Sequence, residues 1–203
     1  MIFEPEVLNY LKSKTICLIG FMGCGKTYLG EKLARILEVD YLDTDNIIEK
    51  KTDKSIFDIF EQNGENAFRE LEKELIQDIV FTKLAESSKQ TIEGRRRNAE
   101  EGCGSLILSL GGGLPLKRYI PKILKYLDPI FICLNPPFEV IMQRIKEKKR
   151  PLTYKRKREY IFYLWKDRYP IYQKLAHITI PDVEEEDILK TLNDRVKMMI
   201  QSL

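Results

Sequence analysis

One histidine, one tryptophan and four cysteines stand in a chain of 203 residues, and each scarcity removes some chemistry. With only His177 available, mechanisms that need several imidazoles are excluded. Cys17, Cys24, Cys103 and Cys133 lack CxxC-type spacing, so a structural zinc site is unsupported and free thiols in a reducing compartment are expected. No run of 18 apolar residues occurs, which removes a membrane-spanning helix and, with it, a membrane partner. The start MIFEPEVLNYLKSK has neither the apolar core of a secretory signal nor the Arg-rich, acid-poor character of a transit peptide; a cytoplasmic location is the expectation. A net charge of +3, from 34 basic and 31 acidic residues, implies no nucleic-acid partner without an organised basic face.

What is present describes a folded domain. Hydrophobic residues make up 43% of the chain and charged residues 32%, which is incompatible with disorder. No linker or repeat divides the sequence, so one domain over 1–203 is expected. Short branched apolar runs at 15–19, 39–42, 106–110, 130–134 and 176–180 hardly alternate, as parallel strands covered on both faces do not. Helical patterns fill most intervals: 28–37, 57–60 continuing toward 65–85, 116–126, 138–145, 159–169 and 184–200. Such alternation gives an α/β, three-layer domain around a central parallel sheet. Two stretches fit the layers less well. Residues 86–104, with GRRR and EEGCG, read as a surface insertion. Residues 144–158 hold nine Lys or Arg around Pro151 and Leu152, and read either as a solvated surface or as a mobile lid over an anionic substrate.

The strongest motif is GFMGCGKT, Gly20 to Thr27, with a strand before it and a helix after it. Gly20, Gly23 and Gly25 let the backbone curl around phosphates, and the helix N-terminus adds a positive end. Backbone N–H groups from Gly20 through Cys24 to Tyr28 form the nucleotide cradle. Lys26 reaches the β and γ phosphates, and Thr27 offers a hydroxyl to Mg²⁺. Asp43 and Asp45 follow at the end of the second strand. With that strand taken as a neighbour of the first, both face the crevice at the strand ends, where one orients water on Mg²⁺ and the other accepts from a substrate hydroxyl. Either is also a candidate helix cap.

On the helix through NAFRELEKEL, Arg69 and Glu72 share a face, as an exposed salt bridge or as an Arg fork held ready for a substrate carboxylate. Gly111, Gly112 and Gly113 follow the third strand, where three glycines suit a tight turn or close ligand approach.

Together these motifs resemble the shikimate kinase family. The likeness runs in order through GFMGCGKT, the DTD of Asp43 to Asp45, FRELE around Arg69, SLGGG ending at Gly113, KRPL around Arg150 and WKDRYPIY around Arg168, across residues 14 to 183. It implies a phosphate-loop kinase fold with strand order 2-3-1-4-5 and a lid at 144–158. It also implies transfer of the γ-phosphoryl of ATP to the 3-hydroxyl of shikimate, with Mg²⁺ held through Thr27 and Asp43. In that family pattern Lys26, Asp45 and Arg150 are the catalytic positions, while Arg69, Arg168 and the backbone of Gly111 to Gly113 bind shikimate beside Asp45. A monomer is expected, with oligomerisation left open.

Three departures accompany the likeness. Residues 86–104 lengthen a join that is short in the family. Pro181, Asp182, Val183 and Glu184 stand where the family often has an Arg beside adenine, leaving that packing to Arg144 or the lid. Cys24 takes the small-residue position before Gly25, as a thiol activated by the helix end or as a buried inert one. His177, Trp165 and Tyr169 read as structural. The alternatives are another small-metabolite kinase, resembling gluconate kinase, or a nucleotide-dependent regulatory protein.

Overall fold

The computed structural model describes residues 3–92, 105–113, 119–145, 152–181 and 185–202, with the side chains of 87–92 and 185–187 excepted. Five parallel strands, β1 (Thr15–Ile19), β2 (Asp40–Asp43), β3 (Leu106–Ser109), β4 (Pro129–Asn135) and β5 (Ile178–Pro181), form one sheet in the order β2-β3-β1-β4-β5. The register pairs Thr15 with both Leu106 and Pro129, and Ile19 with Cys133. Alternate residues of the strands feed two separate cores. Cys17, Ile19, Leu106, Leu108, Phe131 and Cys133 point to one face, and Ile16, Leu18, Ile107, Ile130 and Ile132 to the other. That is why these runs show no polar alternation: neither face meets water.

The helices divide between the faces by their apolar stripes. On one side lie α4 (Ile56–Ile92), α6 (Phe138–Ile145) and α7 (Arg158–Leu175), contributing Ile76, Ile141 and Tyr172. On the other lie α1 (Pro5–Lys12), α2 (Lys26–Leu37) and α8 (Glu185–Gln201), contributing Leu11, Leu33 and Leu192. Leu33 is fully buried, so its truncation to Ala should cost about 2–5 kcal/mol. The remaining elements are α3 (Thr44–Thr52), α5 (Tyr119–Leu124) and a 3-10 turn at Lys125–Leu127.

Several details correct the sequence expectations. β3 lies between β2 and β1, so the second strand is not the neighbour of the first that the placement of Asp43 and Asp45 assumed. The segment 5–12, to which the sequence patterns assigned no element, is a helix with Pro5 in its first turn, and it is tied to α8 by a Glu4 N–H bond to Asn193 Oδ1. Helix α7 runs six residues past Tyr169, through Pro170. The missing N–H leaves Lys166 without a helical donor, which is tolerable because both residues are exposed. Helix α4 continues to Ile92, so the start of the 86–104 stretch is helical; 93–104 lie outside the described residues. Among the described helices none is long and apolar enough to cross a membrane.

Candidate active site

The turn between β1 and α2 closes over the carboxyl end of the sheet. Gly25 caps α2 with φ 101°, a conformation costly to any residue with a Cβ, and no side chain covers the first N–H groups of that helix. Lys26 folds back along the turn, its Nζ donating to the carbonyl oxygens of Gly20 (3.0 Å) and Phe21 (3.2 Å) and lying 3.7 Å from Cys24 Sγ. Cys24 itself is only 5% exposed and packs with the Leu29 and Leu134 core, which places its thiol away from solvent. Tyr28 is half exposed beside Lys32.

Thr27 Oγ1 donates to Asp43 Oδ2 at 3.2 Å, and Tyr41 OH donates to the same oxygen at 3.1 Å. The other oxygen, Asp43 Oδ1, accepts from the N–H groups of Asp45 and Asn46 and caps α3. Asp43, and not Asp45, is therefore the cap. A hydroxyl and a carboxylate side by side at a helix N-terminus are hard oxygen donors of the kind Mg²⁺ takes, and both are accessible; the pair fits that ion. Thr44, fully buried, donates to Ser109 O (3.3 Å) and accepts from Gly111 N–H (2.9 Å), locking α3 to the end of β3.

Two of the three glycines after β3, Gly111 and Gly113, stand where a Cβ would crowd charged groups. A Cβ at Gly111 would fall 2.5 Å from Asp45 Oδ1 and 2.9 Å from Glu72 Oε1, and one at Gly113 would fall 2.5 Å from both terminal nitrogens of Arg69. Gly112 instead accepts through its carbonyl from Tyr172 OH at 2.5 Å. Burial pushes the Tyr172 hydroxyl pKa up, consistent with a proton kept for that bond.

Arg69 and Arg168 are both 8% exposed and both line one cleft of about 670 Å³. The same cleft is bounded by Thr27, Asp43 and Asp45, so α3, α4, the glycine turn and α7 converge on the phosphate loop. Arg69 donates from Nη1 to Glu72 Oε2 at 2.6 Å, so this is a buried pair and not the exposed one that spacing also allowed. Burial works against the guanidinium's charge, but the carboxylates of Glu72 and Glu65 outweigh it and raise its pKa above the ordinary value. Arg168 Nη1 is buried with no hydrogen-bond partner among the described residues. A buried cationic donor left over in a cleft suits an incoming anion.

The basic stretch is seen only in part. Arg144, in the last turn of α6, has its Nη1 3.8 Å from the position of a Cβ on Gly25, against the phosphate loop. Leu152 lines the cleft, and Tyr154 packs edge-on against Phe57 at 5.3 Å. Arg150 lies outside the described residues, as do Cys103 and Asp182 to Glu184. Trp165 and Tyr169 stack on each other at 5.8 Å, and Trp165 packs against Phe138 at 5.6 Å, in keeping with a structural role. His177 Nδ1 accepts from the Phe131 N–H at 2.9 Å and is likewise structural.

Sequence reasoning missed Thr44, Tyr41, Glu65 and Tyr172. Glu65 and Tyr172 were within reach, each standing four residues from an arginine already singled out, on the same helix face. Thr44 carried no local signal, because its partners lie at the end of β3; Tyr41 was also within reach, standing two residues before Asp43 on the same face of β2.

A parallel sheet in this order, with a glycine turn after its first strand and a second set of polar groups across the cleft, defines a phosphate-loop kinase acting on a small molecule. The family model for shikimate kinase matches residues 22–86 and 96–199. Over 178 residues the chain is 34% identical to a shikimate kinase of Dictyoglomus turgidum, covering 86% of this chain and 90% of that one. Over 163 residues it is 36% identical to that of Thermodesulfovibrio yellowstonii, covering 79% and 82%. Among solved structures, shikimate kinase from Acinetobacter baumannii in complex with shikimate superposes with a TM-score of 0.70 at 29% identity, covering 97% of this chain and 96% of that one. The chain belongs to the shikimate kinase family.

Proposed function

We propose that this protein transfers the γ-phosphoryl group of ATP to the 3-hydroxyl of shikimate, releasing ADP and shikimate 3-phosphate. The observation that carries this assignment is the shared cleft: Thr27 and Asp43 bound one end, and Arg168, with its buried unpartnered Nη1, bounds the other. The proposed roles follow from the positions of the groups. Glycine-turn N–H groups and Lys26 bind the phosphates; Lys26 exchanges its bonds to Gly20 and Phe21 carbonyls for bonds to phosphate oxygens. Thr27 and Asp43 would hold Mg²⁺, which supplies neutralisation of phosphate charge when bound. Arg69 and Arg168 take the substrate carboxylate, and the backbone of Gly111 to Gly113 supports the ring. Asp45, whose Oδ1 lies beside Gly111, accepts the proton of the attacking hydroxyl.

Arg150 is assigned to the transferring phosphate on the family likeness alone, and the segment 144–158 is assigned as the cover that excludes water during transfer. Leu152 on the cleft wall supports that second role. The assay is direct. Purified protein with ATP and Mg²⁺ is given shikimate or gluconate, and the product is located by mass and phosphorus NMR. Phosphorylation of shikimate at its 3-oxygen is the expected result; turnover of gluconate with none of shikimate contradicts the assignment.

A further inference from the structure

We infer that Glu65 is a positioning residue that sets the aim of Arg69 in the cleft, an inference that rests on the role of Arg69 as a donor to the substrate carboxylate. A single oxygen, Glu65 Oε1, accepts from Arg69 Nη2 at 2.7 Å and from Nε at 3.1 Å, closing one whole edge of the guanidinium. Glu72 takes Nη1 from another side, and the Nη1 to Nη2 end of the fork lies against Gly113. Arg69 and Gly113 both line the cleft, whereas Glu65 is not among its walls. One carboxylate fixes where a guanidinium sits but leaves its plane free to turn; a second on an adjacent edge fixes the plane. The terminal end is thereby presented toward the substrate side with its orientation settled before binding.

The backbone supports the same device. Gly64 has φ 78° and interrupts α4, yet a Cβ there would meet nothing within 4 Å, so the conformation and not the space calls for glycine. The break starts a second helical segment at Glu65, one turn before Arg69. It also lets Phe60 fold back to 5.1 Å from Phe68, with the Arg69 guanidinium 6.0 Å from the Phe60 ring and 5.3 Å from that of Phe68. Glu65 is 52% exposed where Glu72 is 1% exposed. A half-exposed i,i+4 pair contributes only a few tenths of a kcal/mol to the fold, so the effect of Glu65 belongs in substrate capture and not in stability.

The test compares Glu65→Ala and Glu65→Gln with the parent, by calorimetric binding of shikimate and of its neutral carboxamide analogue, and by steady-state kinetics. For Glu65→Ala the acid should bind roughly five- to twentyfold more weakly, on the scale of one charge-assisted contact that has lost its preorganisation. Binding of the carboxamide, kcat and the KM for ATP should stay within about twofold. Glu65→Gln keeps an acceptor oxygen and should recover most of the loss, which a purely electrostatic role would not allow. Unchanged or tighter binding of shikimate to Glu65→Ala overturns the inference, since Glu65 would then be a bystander or a competitor for Arg69. Equal loss for acid and carboxamide overturns it as well, because the damage would be structural. Failure of the parent protein to bind shikimate is a separate outcome: it removes the substrate assignment itself and this inference with it.

Discussion

The two ends of the cleft are built in opposite ways. In the proposed assignment the phosphate end comes from eight consecutive residues, Gly20 to Thr27, and would work through backbone N–H groups and one lysine that rests on the turn's own carbonyls. The proposed acid end is gathered from α3, α4, the turn after β3 and α7, and would work through side chains pressed against glycines. The first is contiguous in sequence but still packed against its neighbours, since a Cβ at Gly20 would fall 2.5 Å from Leu134 O. The second depends on four elements meeting, and a Cβ in the wrong place displaces a charged group.

Substitutions that separate the two ends follow from this contrast. The largest effect is expected for Lys26→Ala, which removes the charge that meets the transferring phosphate; turnover should fall on the order of 10²–10³-fold. Shikimate binding and the melting temperature should stay near those of the parent, which calorimetry and thermal unfolding would show. Asp45→Asn keeps the shape but not the proton acceptor, and a loss on the order of 10²-fold in kcat is expected with KM little changed. If the rate of a folded Asp45→Asn protein matches the parent, the acceptor role is lost.

Arg168→Ala should act on the other end, weakening shikimate about 10- to 100-fold while the affinity for a nonhydrolysable ATP analogue is retained. The smallest effect belongs to Tyr172→Phe, which deletes the hydroxyl that donates to Gly112 O and should cost about 1 kcal/mol of stability. This residue also carries a pH signature. Burial raises the folded-state pKa of Tyr172, so its contribution is complete below the unfolded value of about 10 and is lost as pH climbs above that toward the folded value. Denaturant midpoints measured between pH 8 and 11 should drop more steeply for the parent than for Tyr172→Phe. Parallel slopes would show that another group governs the alkaline limb.

Much of the sheet and of the phosphate end was legible in the sequence because both are written contiguously. The unalternating runs around Ile16 and Ile132 follow from burial on both faces, and Gly20 to Thr27 is a motif whose neighbours in sequence are its neighbours in space. The acid end was legible only as an inventory. Arg69, Arg168 and Gly113 could be singled out, but that Gly113 is glycine to admit Arg69, and that Asp43 and not Asp45 caps α3, depends on packing between elements. The place of Cys24 before Gly25 left two readings open, and the structure adds that it is 5% exposed and packs with Leu29 and Leu134. Cys133 is similarly withdrawn, its thiol pKa pushed up to about 12 by burial. Helix α7 was cut short at Pro170 because the sequence does not show that the carbonyl left without a donor faces water.

The division between the two ends is tested most directly by a crossed titration. Lys26→Ala and Arg168→Ala proteins, each shown to be folded, are titrated with shikimate and with a nonhydrolysable ATP analogue in Mg²⁺. Lys26→Ala should keep shikimate and lose affinity for the analogue, and Arg168→Ala should do the reverse, with both slowed in turnover. If each substitution weakens both ligands equally, the two ends are not separate binding sites joined by one cleft, and the division of labour drawn between them is wrong.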